Sequence, residues 1–177
     1  MIAVNVAGLL REASSASRDI RLRDHYESLG SDLELAGPLN GAIRLQRTNR
    51  GILARGRISA SLRRTCARCL EPYVEDVTVN IDEEFLPSLD AVGDVAATDP
   101  AEADALRIDE HNEIDLAPPI REELMLTEPM HPLCGPDCPG LCPVCGERLT
   151  LGGHDHGDDE IDPRLAVLAQ LLDRGED

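Results

Sequence analysis

All six cysteines of this 177-residue chain lie in two clusters whose spacing is that of metal ligands. The C-terminal cluster consists of Cys134, Cys138, Cys142 and Cys145, and the upstream cluster is the pair Cys66 and Cys69. A further pair of ligand-type residues, His154 and His156, follows the C-terminal cluster. A Cys-x2-Cys turn lets two thiolates face one ion while backbone N–H groups point at the sulfurs, as a tetrahedral zinc site requires. We therefore expect zinc as the cofactor, as one ion or two.

The ligand-type residues allow two groupings. In the first, one ion is bound by the four cysteines of the C-terminal cluster. In the second there are two ions: one is held by Cys66, Cys69, Cys134 and Cys138, and the other by Cys142, Cys145, His154 and His156. The pair Cys142 and Cys145 belongs to the ligands in both groupings. The Gly-rich tract around the histidines is also typical of a solvated loop, and free thiols are the alternative to metal binding.

A Cys-x2-Cys pair also raises dithiol redox chemistry. The thioredoxin-type pair opens a helix, which lowers the pKa of its thiol, whereas Cys66 and Cys69 lie between two predicted strands. The histidines outside the Gly-rich tract have no obvious serine or cysteine partner, and no Gly-rich phosphate loop is present in the sequence. The sequence therefore predicts a protein that is not an enzyme. A low thiol pKa at Cys66 or Cys69 would favour the oxidoreductase alternative.

The net charge of −17 is divided unevenly along the chain. Residues 1–70 carry 12 Arg and 6 acidic residues, whereas residues 71–177 carry 5 Arg and 28 acidic residues. The acidic part repels RNA phosphates and suits a basic protein partner. With one Phe, two Tyr and no Trp, the chain offers little for stacking of bases.

The Arg-rich stretch is the remaining candidate for direct RNA contact, and its candidate residues are Arg55, Arg57 and Arg63. The alternative is that these arginines pair with acids of the next strand, namely Asp76, Asp82 and Glu84, because opposite charges are common neighbours across a sheet. The residues leave open whether RNA is touched directly.

The elements that position these groups are predicted to be mainly strands over residues 1–86. Apolar and polar residues alternate over 52–63 and again over 73–85, which places Cys66 and Cys69 at the tip of a long hairpin. Further strands are predicted around Leu33/Leu35 and Ile43/Leu45, and a weak one at the N-terminus from Ile2, Val4 and Val6.

Helices are predicted only in the second half. Residues 87–104 indicate an acidic loop, and residues 105–130 contain a helix that Asp115 caps, with Leu116, Ile120 and Leu124 on one face. The Cys/His loop, 131–157, follows. A C-terminal helix over 161–174 is expected to begin after Asp162-Pro163 and to present a leucine stripe.

The fold predicted for the single domain 1–177 is α+β. We expect an antiparallel sheet, or a partly open barrel, covered by two helices and extended by a zinc-knuckle-like C-terminal Cys loop. The N-terminus has no positively charged region before its short apolar stretch, and no window has the roughly 18 apolar residues of a membrane span. We therefore expect an acidic cytoplasmic protein that makes no use of a membrane.

A set of sequence blocks resembles one known family. These blocks are Cys66-x-Arg-Cys69-Leu70-Glu71-Pro72, Ile114-Asp115-Leu116, Arg121-Glu122-Glu123-Leu124, Pro129-Met130, Leu133 to Gly146 with its Cys142-Pro-Val-Cys145-Gly146 turn, and Ile161-Asp162-Pro163-Arg164-Leu165-Ala166-Val167-Leu168. In this order they resemble the YceD family of bacterial and plastid proteins, which is linked to accumulation of the large ribosomal RNA.

The resemblance implies a non-enzymatic accessory role in large-subunit ribosome biogenesis. The partner would be a pre-ribosomal large-subunit particle or a basic ribosomal protein. Many metal-type members carry Cys-x-Cys where this chain has His154-Asp155-His156, so the ligand type is kept at this position. The alternative function is a zinc-stabilised adaptor, or binding module, that acts outside the ribosome.

Overall fold

The computed structural model describes residues 1–25, 29–87, 106–149 and 156. Within these ranges the secondary-structure elements are, in chain order, β1 (Ala3–Asn5), α1 (Ala7–Arg11), β2 (Ser17–His25), β3 (Leu39–Arg47), β4 (Ile52–Thr65), β5 (Pro72–Pro87), β6 (Arg107–Ile108), β7 (Glu113–Asp115) and α2 (Ala117–Leu126). Strands β2 to β6 form one sheet in sequence order, while β1 and β7 form a separate antiparallel pair.

The centre of the large sheet is the hairpin of β4 and β5, which pair antiparallel from Ile52↔Phe85 to Thr65↔Pro72. The predicted alternation is confirmed: Ile58, Leu62 and Ile81 are buried, whereas Arg55 and Asp82 are exposed. Because one face is buried along the whole hairpin, a one-residue slip would expose its apolar side chains. The register thus places the turn that carries Cys66 and Cys69 at the tip, as predicted.

Helix α2 packs against the buried face of β5. Its side chains Ile120 and Leu124, with Leu116 just before it, are fully buried, which confirms the predicted apolar face. The Asp115 carboxylate accepts a hydrogen bond from the backbone N–H of Ala117 over 3.0 Å and another from that of Ile2 over 2.7 Å. The N-cap is Leu116, one residue after the predicted Asp115, and Asp115 instead ties the N-terminus to the first residue of the helix.

The structure corrects several parts of the predicted fold. The large sheet is mixed, because β6 pairs parallel with β5, and in the described part of the chain it stays open and does not close into a barrel. The fold is mostly β, with two short helices among the described residues. The predicted C-terminal helix and residues 88–104 of the predicted acidic loop lie outside those residues.

Two strand predictions were also incomplete. The segment around Leu33 and Leu35 makes only an isolated bridge from Leu35 to Leu62, since Gly37 and Pro38 follow at once and Pro has no N–H for a ladder. Strand β2 was missed because its outer residues are largely charged, which weakens the apolar signal of an edge strand. Over the described ranges, no helix has the length and apolar character needed to cross a bilayer.

Candidate metal centre

The two Cys-x2-Cys turns have the same backbone hydrogen bonding. In the first, the N–H of Leu70 donates to the carbonyl of Cys66 over 2.9 Å, and the N–H of Cys66 donates to Glu71 over 2.9 Å. In the second, Gly146 donates to Cys142 over 2.9 Å and Cys142 donates to Glu147 over 2.7 Å. The residue after the second cysteine is left-handed in both turns, with φ of 58° at Leu70 and 74° at Gly146.

This conformation aims backbone N–H groups at the sulfurs. In the second turn, the N–H of Val144 lies 3.4 Å from the Sγ of Cys142, and the N–H of Glu147 lies 3.4 Å from the Sγ of Cys145. Such hydrogen bonds stabilise thiolates, because they place partial positive charge against the sulfur. The turn therefore has the backbone form that was predicted for a zinc knuckle.

The structure brings four cysteines from the two sequence clusters together. The ligand atoms of Cys66, Cys69, Cys134 and Cys138 lie within 4.8 Å of one another. The Sγ atoms of Cys66 and Cys138 are 3.8 Å apart, and those of Cys69 and Cys134 are also 3.8 Å apart. Zn–S bonds of about 2.3 Å in tetrahedral geometry place sulfurs about 3.8 Å from each other. The four-cysteine cluster is therefore compatible with a metal ion such as zinc.

Hydrogen bonds to backbone carbonyls hold the C-terminal loop against the hairpin tip. The N–H of Ala67 donates to the carbonyl of Pro132 over 2.7 Å. The Nη1 of Arg68 donates to the carbonyls of Pro136 and Cys138, over 3.3 and 3.2 Å. These bonds join segments more than 60 residues apart and bring Cys134 and Cys138 beside Cys66 and Cys69.

A buried arginine, Arg64, sets the path of the chain into this loop. Its side chain is 5% exposed; its Nε lies 2.7 Å from a carboxylate oxygen of Glu75, and its Nη2 donates to the hydroxyl of Thr127 over 2.7 Å. A second carboxylate, on Glu128, lies 3.7 Å from Nη1. Arg64 thus joins the base of the hairpin tip to the end of α2. In the alternating pattern of β4, Arg64 falls on the apolar face, two residues after Leu62. This charged residue on the buried face was a signal in the sequence that the prediction did not use.

The thiols of the four-cysteine cluster differ in acidity. The pKa of Cys66 is lowered to about 6, chiefly by the backbone N–H of Cys134 and further by those of Cys69 and Arg68. The pKa of Cys134 is raised to about 12, because its thiol shares a hydrogen bond with Cys138 and is desolvated. Four adjacent thiolates repel one another, so a divalent cation is what would allow all four to ionise together.

The low pKa at Cys66 was the sign expected of a dithiol oxidoreductase. However, Cys66 is fully buried and the pKa of its neighbour Cys69 is raised. A catalytic thiol must reach a partner's disulfide, which requires exposure as well as thiolate character. The geometry therefore favours a ligand role for this pair over a redox role.

A second group consists of Cys142, Cys145 and His156, whose ligand atoms also lie within 4.8 Å of one another. The Nε2 of His156 is 3.1 Å from the Sγ of Cys142. Cys142 is buried, whereas Cys145 and His156 are exposed. The other predicted ligand, His154, lies outside the described residues. Of the two groupings left open by the sequence, the arrangement of these atoms matches the two-ion one, while ligation itself stays a prediction.

The three candidate RNA-contact arginines are each engaged within the protein. Arg55 pairs with Asp82 at 2.7 Å, as the alternative interpretation expected. Arg57 donates to the side-chain oxygen of Asn80 over 3.3 Å, and Arg63 pairs with Glu34 at 2.8 Å. The other two predicted acidic partners are engaged elsewhere: the Ser61 hydroxyl donates to Asp76 over 2.5 Å, and that of Thr48 to Glu84 over 2.7 Å. RNA contact by these arginines stays a prediction.

An open, mostly β domain with a four-cysteine cluster at one end of its central hairpin defines a class of protein suited to metal binding. The chain belongs to the YceD family: the profile of that family, described as large ribosomal RNA subunit accumulation protein YceD, matches residues 54–172. The matched range includes every candidate metal ligand. The family is not known as a family of enzymes.

Curated relatives support the same grouping. An uncharacterized protein of Mycobacterium tuberculosis is 38% identical over 131 residues, which cover 73% of this chain and 60% of that protein. An uncharacterized protein of Mycobacterium leprae is 32% identical over 141 residues, covering 79% and 62%. The uncharacterized protein YlbN of Bacillus subtilis is 26% identical over 145 residues, covering 81% and 80%. The chain thus spans about 60% of the length of the mycobacterial relatives. No solved structure matches the chain.

Proposed function

We propose that this protein is a non-enzymatic accessory factor in large-subunit ribosome biogenesis, which supports accumulation of the large ribosomal RNA. The observation that carries this proposal is the YceD family match over residues 54–172. That match covers the β4–β5 hairpin from residue 54 onward, α2 and both Cys-x2-Cys turns, so it includes the whole of the candidate site. The partner would be a large-subunit precursor particle or one of its basic proteins.

The proposal includes two structural zinc ions. The four-cysteine cluster would hold one, and Cys142, Cys145 and His156, with His154, would hold the other. The sulfur–sulfur separations of 3.8 Å support the first site. A zinc ion there would supply no reaction chemistry; it would neutralise the thiolates and fasten the loop after α2 to the hairpin tip.

Depletion of the protein from its own organism tests this function. The ratio of large to small subunits in sucrose gradients should fall, together with the amount of large-subunit RNA, while the small-subunit RNA is less affected. An unchanged ratio would leave the adaptor that acts outside the ribosome as the better account. Affinity purification of the tagged chain, with the RNA and protein of the eluate identified, would then show where it acts.

A further inference from the structure

Exposed apolar side chains gather at one end of the described structure. Apart from Met1, the large hydrophobic residues that are exposed in the described ranges are Leu70, Val74, Met125, Leu126, Met130 and Val144. All of them belong to the hairpin tip, the end of α2 or the Cys loop. We call the end formed by residues 66–74 and 125–149 the Cys end.

The hairpin tip, the end of α2 and the Cys loop are in contact with one another. Arg64, next to the tip, binds Thr127 and lies near Glu128 at the end of α2. The carbonyl of Pro132 accepts from Ala67, and the carbonyl of Arg68 would lie 3.2 Å from a Cβ added at Gly140. Leu70, Met130 and Val144 therefore stand on three segments that meet at the Cys end.

Leu70 is the most informative residue of this surface. It adopts a left-handed conformation that a leucine disfavours, and yet the residue is 63% exposed and gains little from burial. The second Cys-x2-Cys turn makes the same hydrogen bonds with glycine at the corresponding position, Gly146. The turn does not need a leucine, and a large apolar residue that is strained and yet mostly exposed in the described structure points to a role in recognition.

The charged side chains around the exposed apolar residues are mostly acidic, with four carboxylates against the two arginines Arg68 and Arg148. The carboxylates of Glu71, Glu128, Asp137 and Glu147 are all on exposed residues at this end. The positive side chain within the tip, Arg68, donates to carbonyls of the loop. This arrangement of apolar anchors among carboxylates is complementary to a basic surface that carries apolar side chains, and it repels phosphates.

We propose that the Cys end, with Leu70 and Met130 as its anchors, is the docking surface for a basic protein. That this partner comes from the large ribosomal subunit is an inference that rests on the proposed function. The partner would insert apolar side chains beside Leu70 and Met130 and place its cations against the surrounding carboxylates. The outer Arg face of the sheet would take no part in this contact.

The test uses the full-length, metal-loaded chain and two probes: the RNA-free protein fraction of purified large subunits, and protein-free large-subunit RNA. The variants are Leu70→Gly, which suits the left-handed turn, and Met130→Ser at a residue that is 94% exposed. The control variant is Arg55→Glu/Arg57→Glu. Metal content and thermal unfolding are measured for each, so that loss of binding is separated from loss of fold.

We expect the parent to retain one or a few basic proteins and no RNA. Each Cys-end variant should weaken that binding about tenfold or more, while the Arg-face variant binds as the parent does. Equal binding by parent and Leu70→Gly would overturn the proposal, as would retention of RNA alone. Unfolding of free Met130→Ser at a lower temperature than the parent would also overturn it, because another segment of the same chain would then cover this surface.

Failure of this proposal and failure of the proposed function are distinguishable. If depletion lowers the large subunit but the Cys-end variants bind normally, the docking surface alone is wrong. If binding depends on Leu70 and Met130 but depletion leaves the subunit ratio unchanged, the biogenesis role alone is wrong.

Discussion

The sulfurs of Cys66 and Cys138 lie 3.8 Å apart, although 72 residues separate them along the chain. One belongs to the hairpin tip and the other to the loop after α2. This closure couples the candidate metal site to the tertiary fold, because an ion bound there would hold two distant segments together.

Zinc content should distinguish the two ligand groupings. We expect about two equivalents per chain, falling to about one in Cys66→Ser and to about one in Cys142→Ser, because each change removes a ligand from a different site. The measurement is elemental analysis after anaerobic purification without chelators. A single equivalent that Cys66→Ser leaves in place would favour a site made only of the C-terminal cysteines.

Removal of the metal should expose the loop to proteases before it unfolds the sheet. The core of the hairpin is packed by Ile58, Leu62 and Ile81, which are not metal ligands. The loop, in contrast, depends on the free energy of metal binding for its fold. Limited proteolysis with and without a chelator, followed by mass spectrometry, should place the first new cuts in 131–149. First cuts inside β4 or β5 would contradict this expectation.

Arg64 should contribute more to stability than the exposed arginines do. Arg64→Met leaves the carboxylate of Glu75 without its partner and frees the end of α2, so we expect a loss of about 2 kcal/mol in the free energy of unfolding. The matched control is Arg55→Met, whose exposed pair with Asp82 is worth about 0–1 kcal/mol. Urea unfolding of both variants gives the comparison. Equal losses in the free energy of unfolding would mean that the buried contacts of Arg64 add no more stability than an exposed ion pair.

Substitutions at Leu70 and Gly146, the residues that follow the second cysteine of each Cys-x2-Cys turn, should change stability in opposite directions. Leu70→Gly removes a left-handed strain of about 1–2 kcal/mol but adds freedom to the unfolded chain, for a net gain of about 0.5–1 kcal/mol. Gly146→Ala should instead lower stability by about 1 kcal/mol, although a Cβ there would meet no neighbour within 4 Å, because φ is 74°. Thermal unfolding of the zinc-loaded variants measures both, and a destabilised Leu70→Gly would show that the leucine packs in the fold.

Glu83 should make stability depend on pH. Its pKa is raised, first by desolvation and then by the nearby carboxylates of Glu122 and Glu123. A carboxyl with a higher pKa in the folded state favours folding when it is protonated, so its contribution is lost as the pH rises from about the unfolded value through the folded one. Glu83→Gln should therefore be more stable than the parent at pH 7.5, and the difference should shrink toward pH 5.

Urea unfolding at both pH values checks this prediction, with Glu110→Gln as the exposed control. A Glu83→Gln variant that is less stable than the parent at pH 7.5 would contradict it.

The sequence predicted the parts of the molecule that follow from local rules. Strict alternation along 52–63 and 73–85 located the hairpin, and the spacing of Leu116, Ile120 and Leu124 located α2. The predicted Cys-x2-Cys turns have the expected backbone form. Which cysteines meet could not be decided from spacing, because it depends on the path of the chain from α2 back to the tip, and the buried contacts of Arg64 help to set that path.

Other features were hidden for different physical reasons. Strand β2 has few apolar residues, since it lies at an edge and presents charges to solvent. The left-handed conformation of Leu70 could not be recognised from its residue type, because leucine has no preference for it. The pairing of Arg63 with Glu34 crosses from β4 to the segment before β3, and no sequence pattern indicated that these two segments meet.

The central claim is that this protein supports accumulation of the large ribosomal RNA and that its four-cysteine cluster is needed for this role. The most direct measurement is the ratio of large- to small-subunit RNA in a depleted strain complemented with the parent, Cys66→Ser/Cys138→Ser or the exposed control Glu110→Gln. The account predicts that the parent and Glu110→Gln restore the ratio and that the double cysteine variant does not. A ratio that depletion leaves unchanged, or that the cysteine variant restores fully, would contradict it.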